Sequence, residues 1–276
     1  MRTIPTILAA AMLAAGPAAA QQAGPLQPGE SWELLAYDVL GETVPAPAGE
    51  LFEVVAPYRA EDAATVPVAI RQADAAAPRI ESATIVIDEN PAPVAAEFAF
   101  GPAMHPLDLE VRVRVDQYSN VRVIARSRGE SFMGGRFVKA SGGCSAPATR
   151  DPAEARATMG QMRLRLFDGG DGDSGGAMSA APGTRREAQV ALRHPNYSGL
   201  QRDPITHLFV PAHFVDAVEV RQGGAVLFSM EGGISISENP TFRFRYTDDG
   251  SPELTVRATD TDGNVFEQAL PKRADG

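Results

Sequence analysis

The sequence has 276 residues, with 25 Lys and Arg against 35 Asp and Glu and a formal net charge of −10 at pH 7. A chain this acidic lacks the basic surface that nucleic acid requires, and it has no polybasic patch for anionic lipid. Cys144 is the single cysteine, so no disulfide can form within the chain. A lone thiol in an exported protein is a candidate reactive group.

The first twenty residues predict a secretory signal peptide. Arg2 precedes an uncharged run from Ile4 to Ala20 that ends in three alanines, and a basic start, an apolar core and a small-residue cleavage site are typical of such peptides. The apolar core is too short to span a bilayer as a retained helix. We therefore expect cleavage after Ala20 and a soluble mature protein in the bacterial periplasm.

A short helix is predicted next, from Trp32 to Leu40, with Ser31 as its N-cap and Gly41 as its C-cap. Short β-type runs separated by turn residues follow, and seven such runs are typical of a β-sandwich. The predicted strands are Leu51–Ala56, Thr65–Arg71, Ile80–Asp88, Val94–Phe100, Asp108–Val115, Asn120–Arg126 and Glu130–Val138.

The alternation of apolar and polar residues is clearest in the fifth of these runs. Leu109, Val111, Val113 and Val115 alternate with three charged residues, Glu110, Arg112 and Arg114. This pattern predicts a strand with one buried face and one face in water, the charged residues lying on the latter.

A helix, a strand and a linker are predicted between the two halves of the chain. Asp151 and Pro152 have the composition of a helix start, and Met162–Phe167 is read as a strand. The Gly, Asp and Ser residues of 168–183 predict a flexible linker and a domain boundary.

The second half is again all-β and predicts a second sandwich. Gln222-Gly223-Gly224 and Asp262-Gly263 supply turns between neighbouring strands. The predicted strands are Ala188–Arg193, His207–Val210, Ala217–Arg221, Ala225–Met230, Thr241–Tyr246, Leu254–Ala258 and Val265–Leu270.

Cys144 follows paired glycines, Gly142 and Gly143, and precedes Ser145. Glycine loses much entropy on ordering, and small residues offer little apolar surface, so this composition predicts a thiol on a mobile, exposed arm. The alternative is a buried cysteine that acts as a small hydrophobic residue.

A nucleophilic thiol must ionise, and an unperturbed cysteine with a pKa near ~8.5 is only a few per cent thiolate at neutral pH. Lys139, Arg136 and Arg150 are near Cys144 in sequence, and positive charges of this kind lower the pKa of a thiol. Lys139 is therefore grouped with Gly142, Gly143 and Ser145 as a flank of the arm.

Two other patterns resemble reactive sites without the context that such sites need. Gly172–Gly176 copies the nucleophile segment of trypsin-like proteases, but nothing resembles the histidine segment of that family. The aspartates between 168 and 173 lack the spacing of an EF-hand. We therefore expect neither a protease nor a calcium site.

The four histidines are His105, His194, His207 and His213. Three of them are clustered in the second half, which leaves a zinc or copper site open. No paired ligand spacing is evident, so hydrogen-bonded structural histidines are favoured and no metal or cofactor is predicted.

Motifs in both halves of the chain resemble those of known proteins. They are Asp88–Phe98 and Arg136–Cys144 in the first half, and Arg193–Pro195, Gly199–Asp203, Pro211–Phe214, Val218–Val220 and Glu238–Phe244 in the second. The first two resemble SoxY and the other five resemble SoxZ, the subunits of the periplasmic sulfur-oxidation carrier, here fused head to tail. With Asn196–Gln201 and Met230–Asn239, the fused arrangement is most similar to the SoxYZ-like carriers associated with quinoprotein dehydrogenases.

The resemblance implies immunoglobulin-like sandwiches in both halves. It places a SoxY-like domain at 31–150, the helix, strand and linker at 151–185, and a SoxZ-like domain at 186–273. It also implies a non-catalytic carrier in which Cys144 holds a sulfur group, as a persulfide or thiosulfonate adduct, for periplasmic partner enzymes.

One departure from the family pattern concerns the arm itself. In SoxY the cysteine is near the end of the polypeptide, whereas here Ser145, Ala146 and Pro147 follow Cys144 and the chain continues. The arm is thus a tethered loop that cannot enter an active site tip-first. A second hypothesis is an accessory protein for a quinoprotein dehydrogenase with no covalent cargo; a redox enzyme is least favoured, because no second cysteine is present.

Overall fold

The structure is a computed structural model that describes residues 24–147, 152–167, 182–203 and 206–272. The predicted signal peptide, most of the predicted linker, Arg150 and Asp151 lie outside these ranges. The described residues form an all-β protein with two short α-helices and one 3₁₀ turn, which confirms the predicted fold class. Within these ranges, no helix is long and apolar enough to cross a membrane.

Two α-helices and fifteen strands make up the described fold. Helix α1 is Glu30–Leu40 and helix α2 is Pro152–Thr158. The strands are β1 (Ala46–Pro47), β2 (Glu53–Val55), β3 (Val66–Arg71), β4 (Ser82–Ile87), β5 (Val94–Phe100), β6 (Asp108–Val113), β7 (Ser119–Ser127), β8 (Glu130–Val138), β9 (Met162–Phe167), β10 (Arg185–Leu192), β11 (Val215–Gln222), β12 (Ala225–Gly232), β13 (Thr241–Thr247), β14 (Glu253–Asp260) and β15 (Val265–Pro271).

Two local predictions were wrong. The N-cap of α1 is Gly29 rather than Ser31, while Gly41 is the C-cap as predicted and has a positive φ of 60°. The segment His207–Val210 forms no strand; His207 has a φ of 59°, and Phe209 makes only an isolated bridge to Arg202. A positive φ bends the chain out of the extended conformation that a strand requires.

The strands of the two halves are paired in two common sheets. The nine-stranded sheet has the order β1-β8-β7-β4-β5-β12-β11-β14-β15, and the six-stranded sheet has the order β2-β3-β6-β13-β10-β9. In both sheets a strand of the first half lies beside a strand of the second. We call these two contacts, β5 with β12 and β6 with β13, the seam.

The seam is apolar and continuous with the core of each half. Phe228 of β12 is opposite Phe100 of β5, and Phe244 of β13 is opposite Leu109 of β6. The Phe228 and Phe244 rings pack edge to face, with centroids 5.2 Å apart. One hydrophobic cluster contains buried residues from both halves, so the two halves share a core.

The alternation of β6 is observed with one exception. Leu109, Val111 and Val113 are buried and Arg112 is exposed, as predicted. Arg114, which was predicted to lie on the wet face, is only 2% exposed. The loop before β13 covers it, and its guanidinium donates hydrogen bonds to the carbonyl oxygens of Ile234 and Ile236.

Candidate functional site: the buried Cys144 thiol

The segment that carries Cys144 is docked along the chain that leaves β6. The Gly142 and Gly143 amides donate to the Asp116 and Val115 carbonyls at 2.7 and 3.1 Å. The Cys144 amide donates to Asp116 Oδ1 at 3.2 Å. Cys144 is 0% exposed, so the prediction of an exposed thiol is wrong for this state, and the alternative of a buried cysteine is the observed one.

Gly143 explains why the paired glycines favour burial here. A Cβ on Gly143 would lie 2.1 Å from the Ala63 carbonyl oxygen and 2.7 Å from that of Val115. Such distances are far below van der Waals contact, so only glycine allows the two backbones to approach this closely. The composition that predicted a mobile arm instead permits tight backbone docking.

The second half of the chain holds the segment from the other side. The Ser198 hydroxyl donates to the Cys144 carbonyl, and the Gln201 side-chain amide donates to the Ala146 carbonyl at 2.9 Å. Ser198 and Gln201 are themselves buried and are linked by a hydrogen bond from the Ser198 amide to Gln201 Oε1. We call these two contacts, from Ser198 and from Gln201, the clasp.

The surroundings of the thiol disfavour its ionisation. Burial and the nearby Asp116 carboxylate raise the pKa of Cys144 to about 12, while Arg114 acts in the opposite direction. A thiol with this pKa is almost entirely protonated at neutral pH, and the thiolate is the nucleophile. In the described state Cys144 is therefore chemically protected.

The other predicted flanks of Cys144 do not act on the thiol. The Lys139 ammonium lies over the Tyr58 ring at 4.8 Å, and an Arg136 guanidinium nitrogen donates to the Gly135 carbonyl. Ser145 is exposed, and its hydroxyl bonds back to Gly142. The prediction that Lys139 and Arg136 lower the pKa of Cys144 was wrong, because the charges that affect it belong to Asp116 and Arg114.

Comparisons with known proteins match each half of the chain to a different family. Residues 36–144 match the family "Sulfur oxidation protein SoxY", and residues 177–271 match "Sulphur oxidation protein SoxZ". The chain therefore contains a SoxY domain followed by a SoxZ domain in one polypeptide. The SoxY match ends on Cys144 itself. A separate comparison with curated protein sequences found no match to the chain.

Among solved structures, the sulfur carrier protein SoxY from Chlorobium limicola f. thiosulfatophilum is 24% identical, with a TM-score of 0.33. The match covers 39% of this chain and 89% of that one. The BSP domain of a biofilm-associated protein is 9% identical (TM-score 0.26; 81% of this chain, 30% of that chain). A family 2 glycosyl hydrolase from Bacteroides cellulosilyticus is also 9% identical (TM-score 0.21; 75% and 24%).

The SoxZ domain contains a buried cluster of two histidines and one carboxylate. His194 Nε2 and His213 Nε2 lie 3.3 and 2.8 Å from the same oxygen of Asp260, Oδ2. Asn264 donates to both carboxylate oxygens. Burial raises the pKa of Asp260, but the hydrogen bonds from Asn264, His213 and His194 outweigh it and hold the pKa at about 2.

The ligand-type atoms of this cluster lie within 4.8 Å of one another, so a metal ion has to be considered. The Asn196 amide donates to His194 Nδ1 at 3.1 Å, which leaves the single proton of the neutral ring on Nε2. Metal-binding histidines use the opposite arrangement, in which the second ring nitrogen donates and the ligating one is bare. The cluster is better described as a hydrogen-bonded anchor between the start of the 194–201 loop and the end of β14.

The remaining two histidines of the sequence are elsewhere. His105 Nε2 lies 3.0 Å from the Ala75 carbonyl oxygen, and His207 is exposed on the surface of the SoxZ domain. Only the pair of His194 and His213 is brought together by the fold.

Sequence reasoning missed four residues that define the surroundings of Cys144. Asp116 and Arg114 lie more than 25 residues before the cysteine in the chain, and Ser198 and Gln201 lie more than 50 residues after it. Ser198 and Gln201 lie in the motif Asn196–Gln201, which carried part of the resemblance without an assigned role. That motif was therefore the feature of the sequence from which Ser198 and Gln201 could have been identified.

Proposed function

We propose that this SoxY–SoxZ fusion is a periplasmic carrier that covalently holds a small sulfur-containing group on Cys144 and presents it to partner enzymes. The observation that carries the proposal is the position of Cys144 as the last residue of the SoxY match. The cysteine lies where the two domains meet, and residues of both domains hold its segment. A carrier thiol held in this way is available only when the segment is released.

Loading requires that release, because a thiol that is 0% exposed and has a pKa of about 12 cannot react at neutral pH. Release breaks the two hydrogen bonds of the clasp and the three that the cysteine segment donates to Val115 and Asp116, each of which contributes on the order of 1 kcal/mol. Once released, the thiol returns to an ordinary pKa near ~8.5 and forms thiolate. Partner binding that favours the released segment would then couple loading to the partner.

The covalent step needs no outside oxidant when the donor already contains a sulfur–sulfur bond. With tetrathionate, the Cys144 thiolate attacks a central sulfur and a new S–S bond forms. The electron pair of the broken S–S bond leaves with thiosulfate. The product is a thiosulfonate adduct on Cys144.

Intact-mass spectrometry of the full chain treated with tetrathionate tests this proposal. We expect one adduct per chain, formed slowly in native buffer and rapidly in urea, and none in Cys144→Ser. A native chain that stays unmodified over a range of pH and time, while the urea-unfolded chain is modified, would show that the segment does not open and would overturn the carrier function.

The burial of the thiol specifically favours a second candidate, an accessory protein for a quinoprotein dehydrogenase that carries no covalent cargo. A protein of this kind needs its surface but not its thiol. In cells, Cys144→Ala would then support full dehydrogenase activity while loss of the whole protein would not. Deletion of the SoxZ domain is unsuitable as a test, because β12 and β13 are paired with strands of the SoxY domain in both sheets.

A further inference from the structure

We propose that Arg114 and the Cys144 thiol form a buried site that retains the cargo in a negatively charged form. The inference rests on the proposed carrier function and assigns the charge of the cargo and the residue that selects it. Three observations support it: the state of Arg114, the unsatisfied groups beside it, and the contacts that link it to Cys144.

Arg114 is a buried cation with no carboxylate in ion-pair contact among the described residues. It is 2% exposed, whereas the buried Arg122 is paired with Asp88 at 2.8 Å. A guanidinium stays charged in proteins, and a buried charge without a counter-ion is costly. Unlike Arg122, Arg114 is therefore not neutralised by direct contact with a described carboxylate; Glu238 and Asp62 act on it only from a longer distance.

The guanidinium also has unused hydrogen-bonding capacity. Its Nη1 donates to the carbonyls of Ile236 and Ile234 at 2.7 and 3.3 Å, but Nε is buried without a partner among the described residues. The hydroxyl of Ser237, the residue after Ile236, is likewise buried without a partner. Buried polar atoms are nearly always satisfied, so the unpaired Arg114 Nε has the capacity to bind one further acceptor, and the Ser237 hydroxyl, one residue after the Arg114 contact at Ile236, can supply another donor.

These groups are connected to the cysteine by short steps. The Asn196 side-chain amide donates to the Ile236 and Ser237 carbonyls at 3.5 and 3.1 Å. Two residues further along the same buried loop, Ser198 donates to the Cys144 carbonyl. Arg114 and Asn196 thus share the Ile236 carbonyl as an acceptor. On its other side the cysteine segment is held by Val115, the residue after Arg114, whose carbonyl accepts from the Gly143 amide.

The charge interactions agree with this geometry. Burial lowers the pKa of Arg114, and the largest opposing influence comes from the ionisable Cys144 side chain, ahead of Glu238 and Asp62. An anionic group on the sulfur would extend negative charge from the same atom. Hydrogen bonds between a guanidinium and an oxyanion are about twice as strong as those between neutral groups, so an anionic adduct is expected to be retained and a cationic adduct expelled.

The test compares three adducts of similar size that differ only in charge. The full chain is labelled at Cys144 with sulfonatoethyl, propyl or aminoethyl methanethiosulfonate. The thiolate attacks the divalent sulfur of the reagent, a disulfide forms, and methanesulfinate leaves with the electron pair. The rate of label removal by dithiothreitol is then measured in native buffer and divided by the rate for the same adduct in urea, which cancels the intrinsic reactivity of each disulfide.

We expect the anionic adduct to be protected at least about tenfold more than the cationic one, with the neutral adduct between them. In Arg114→Gln this order should collapse to equal protection. Arg114→Lys, which keeps the positive charge, should retain part of the difference in protection between the adducts. Arg112→Gln is the matched control, because Arg112 lies two residues earlier and is exposed.

Equal protection of the three adducts in the unmutated chain would overturn the inference without any variant being needed. An order that survives in Arg114→Gln would overturn it as well. Either result leaves the carrier function intact, since Cys144 would still accept and hold a group. A cysteine that takes none of the three labels in native buffer would instead contradict the carrier function and this inference together.

Discussion

The two halves of the chain meet in two ways that differ in strength. At the seam, backbone hydrogen bonds continue both sheets from one half to the other, and buried phenylalanines pack across them. At the clasp, two side chains of the SoxZ domain bind two carbonyls of the cysteine segment. The two contacts therefore differ in strength, because the seam is built from paired strands and a shared core while the clasp consists of two side-chain hydrogen bonds.

Mutations at the seam should have the largest effect on the free energy of unfolding. Phe228 is 0% exposed and contacts Phe98, Phe242 and Phe244. Truncation of such a residue leaves a cavity, so Phe228→Ala is expected to lower the free energy of unfolding by about 3–5 kcal/mol. Phe209→Ala, at a residue that is 57% exposed, should change it little.

Urea unfolding followed by fluorescence and circular dichroism measures this effect. Because the two halves share a core, both probes should report one transition that shifts as a whole. Two separate transitions, of which only one responds to Phe228→Ala, would contradict a shared core.

Gly143→Ala should release the cysteine segment from the first half without disturbing the seam. The added Cβ would clash with the Ala63 and Val115 carbonyls, and backbone strain of this kind costs about 2–3 kcal/mol. The rate of Cys144 alkylation by iodoacetamide should therefore rise about 30- to 160-fold, while the urea transition remains cooperative. Ser145→Ala, at an exposed neighbour, should leave the rate unchanged; an equal rate in both variants would show that Gly143 does not keep the segment closed.

The closed segment should also be sensitive to alkaline pH. The pKa of Cys144 is raised to about 12 in the folded chain and is near ~8.5 when the thiol is in water. Above pH ~8.5 the unfolded or released thiol loses its proton while the buried one keeps it, so stability falls as pH rises and is unaffected below that value. The expected slope approaches ~1.4 kcal/mol per pH unit.

Urea unfolding of the unmutated chain and of Cys144→Ser at pH 7, 8.5 and 10 isolates this contribution. The difference between the two chains should be constant up to about pH 8.5 and should then decrease. A difference that does not change with pH would mean that the thiol is not protected from ionisation in the folded chain.

The two hydrogen bonds of the clasp should have the smallest separate effects. Ser198→Ala and Gln201→Ala each remove one donor, and each is expected to raise the Cys144 alkylation rate about fivefold, which corresponds to roughly 1 kcal/mol. The double variant should exceed either single one. Leu208→Ala, an exposed residue of the same domain, is the control, and an unchanged rate in the double variant would locate the restraint in the first half alone.

Strand positions followed from sequence where local periodicity was enough to define them. Val94–Phe100, Glu130–Val138 and Met162–Phe167 have the predicted bounds. The local sequence pattern predicted the wrong solvent exposure for Arg114 and Cys144, because the residues that bury them come from distant parts of the chain. The loop over Arg114 precedes β13, and the clasp follows β10.

The glycines before Cys144 illustrate the same limit. From composition alone, two glycines signify a flexible backbone, and this property holds for an isolated peptide. In the folded chain Gly143 is required because a neighbouring backbone is too close for any side chain. Whether the glycine confers flexibility or permits close packing depends on Ala63 and Val115. No local sequence pattern reveals that these two residues lie close to Gly143.

The pairing of β5 with β12 and of β6 with β13 has a further consequence for solubility. Each of these four strands is covered on its outer side by a strand of the other half. If either half were produced alone, it would present two bare strand edges with unpaired amides and carbonyls, a known template for aggregation. Fusion of the two halves therefore keeps these edges covered from the moment of folding, at whatever concentration the protein is made.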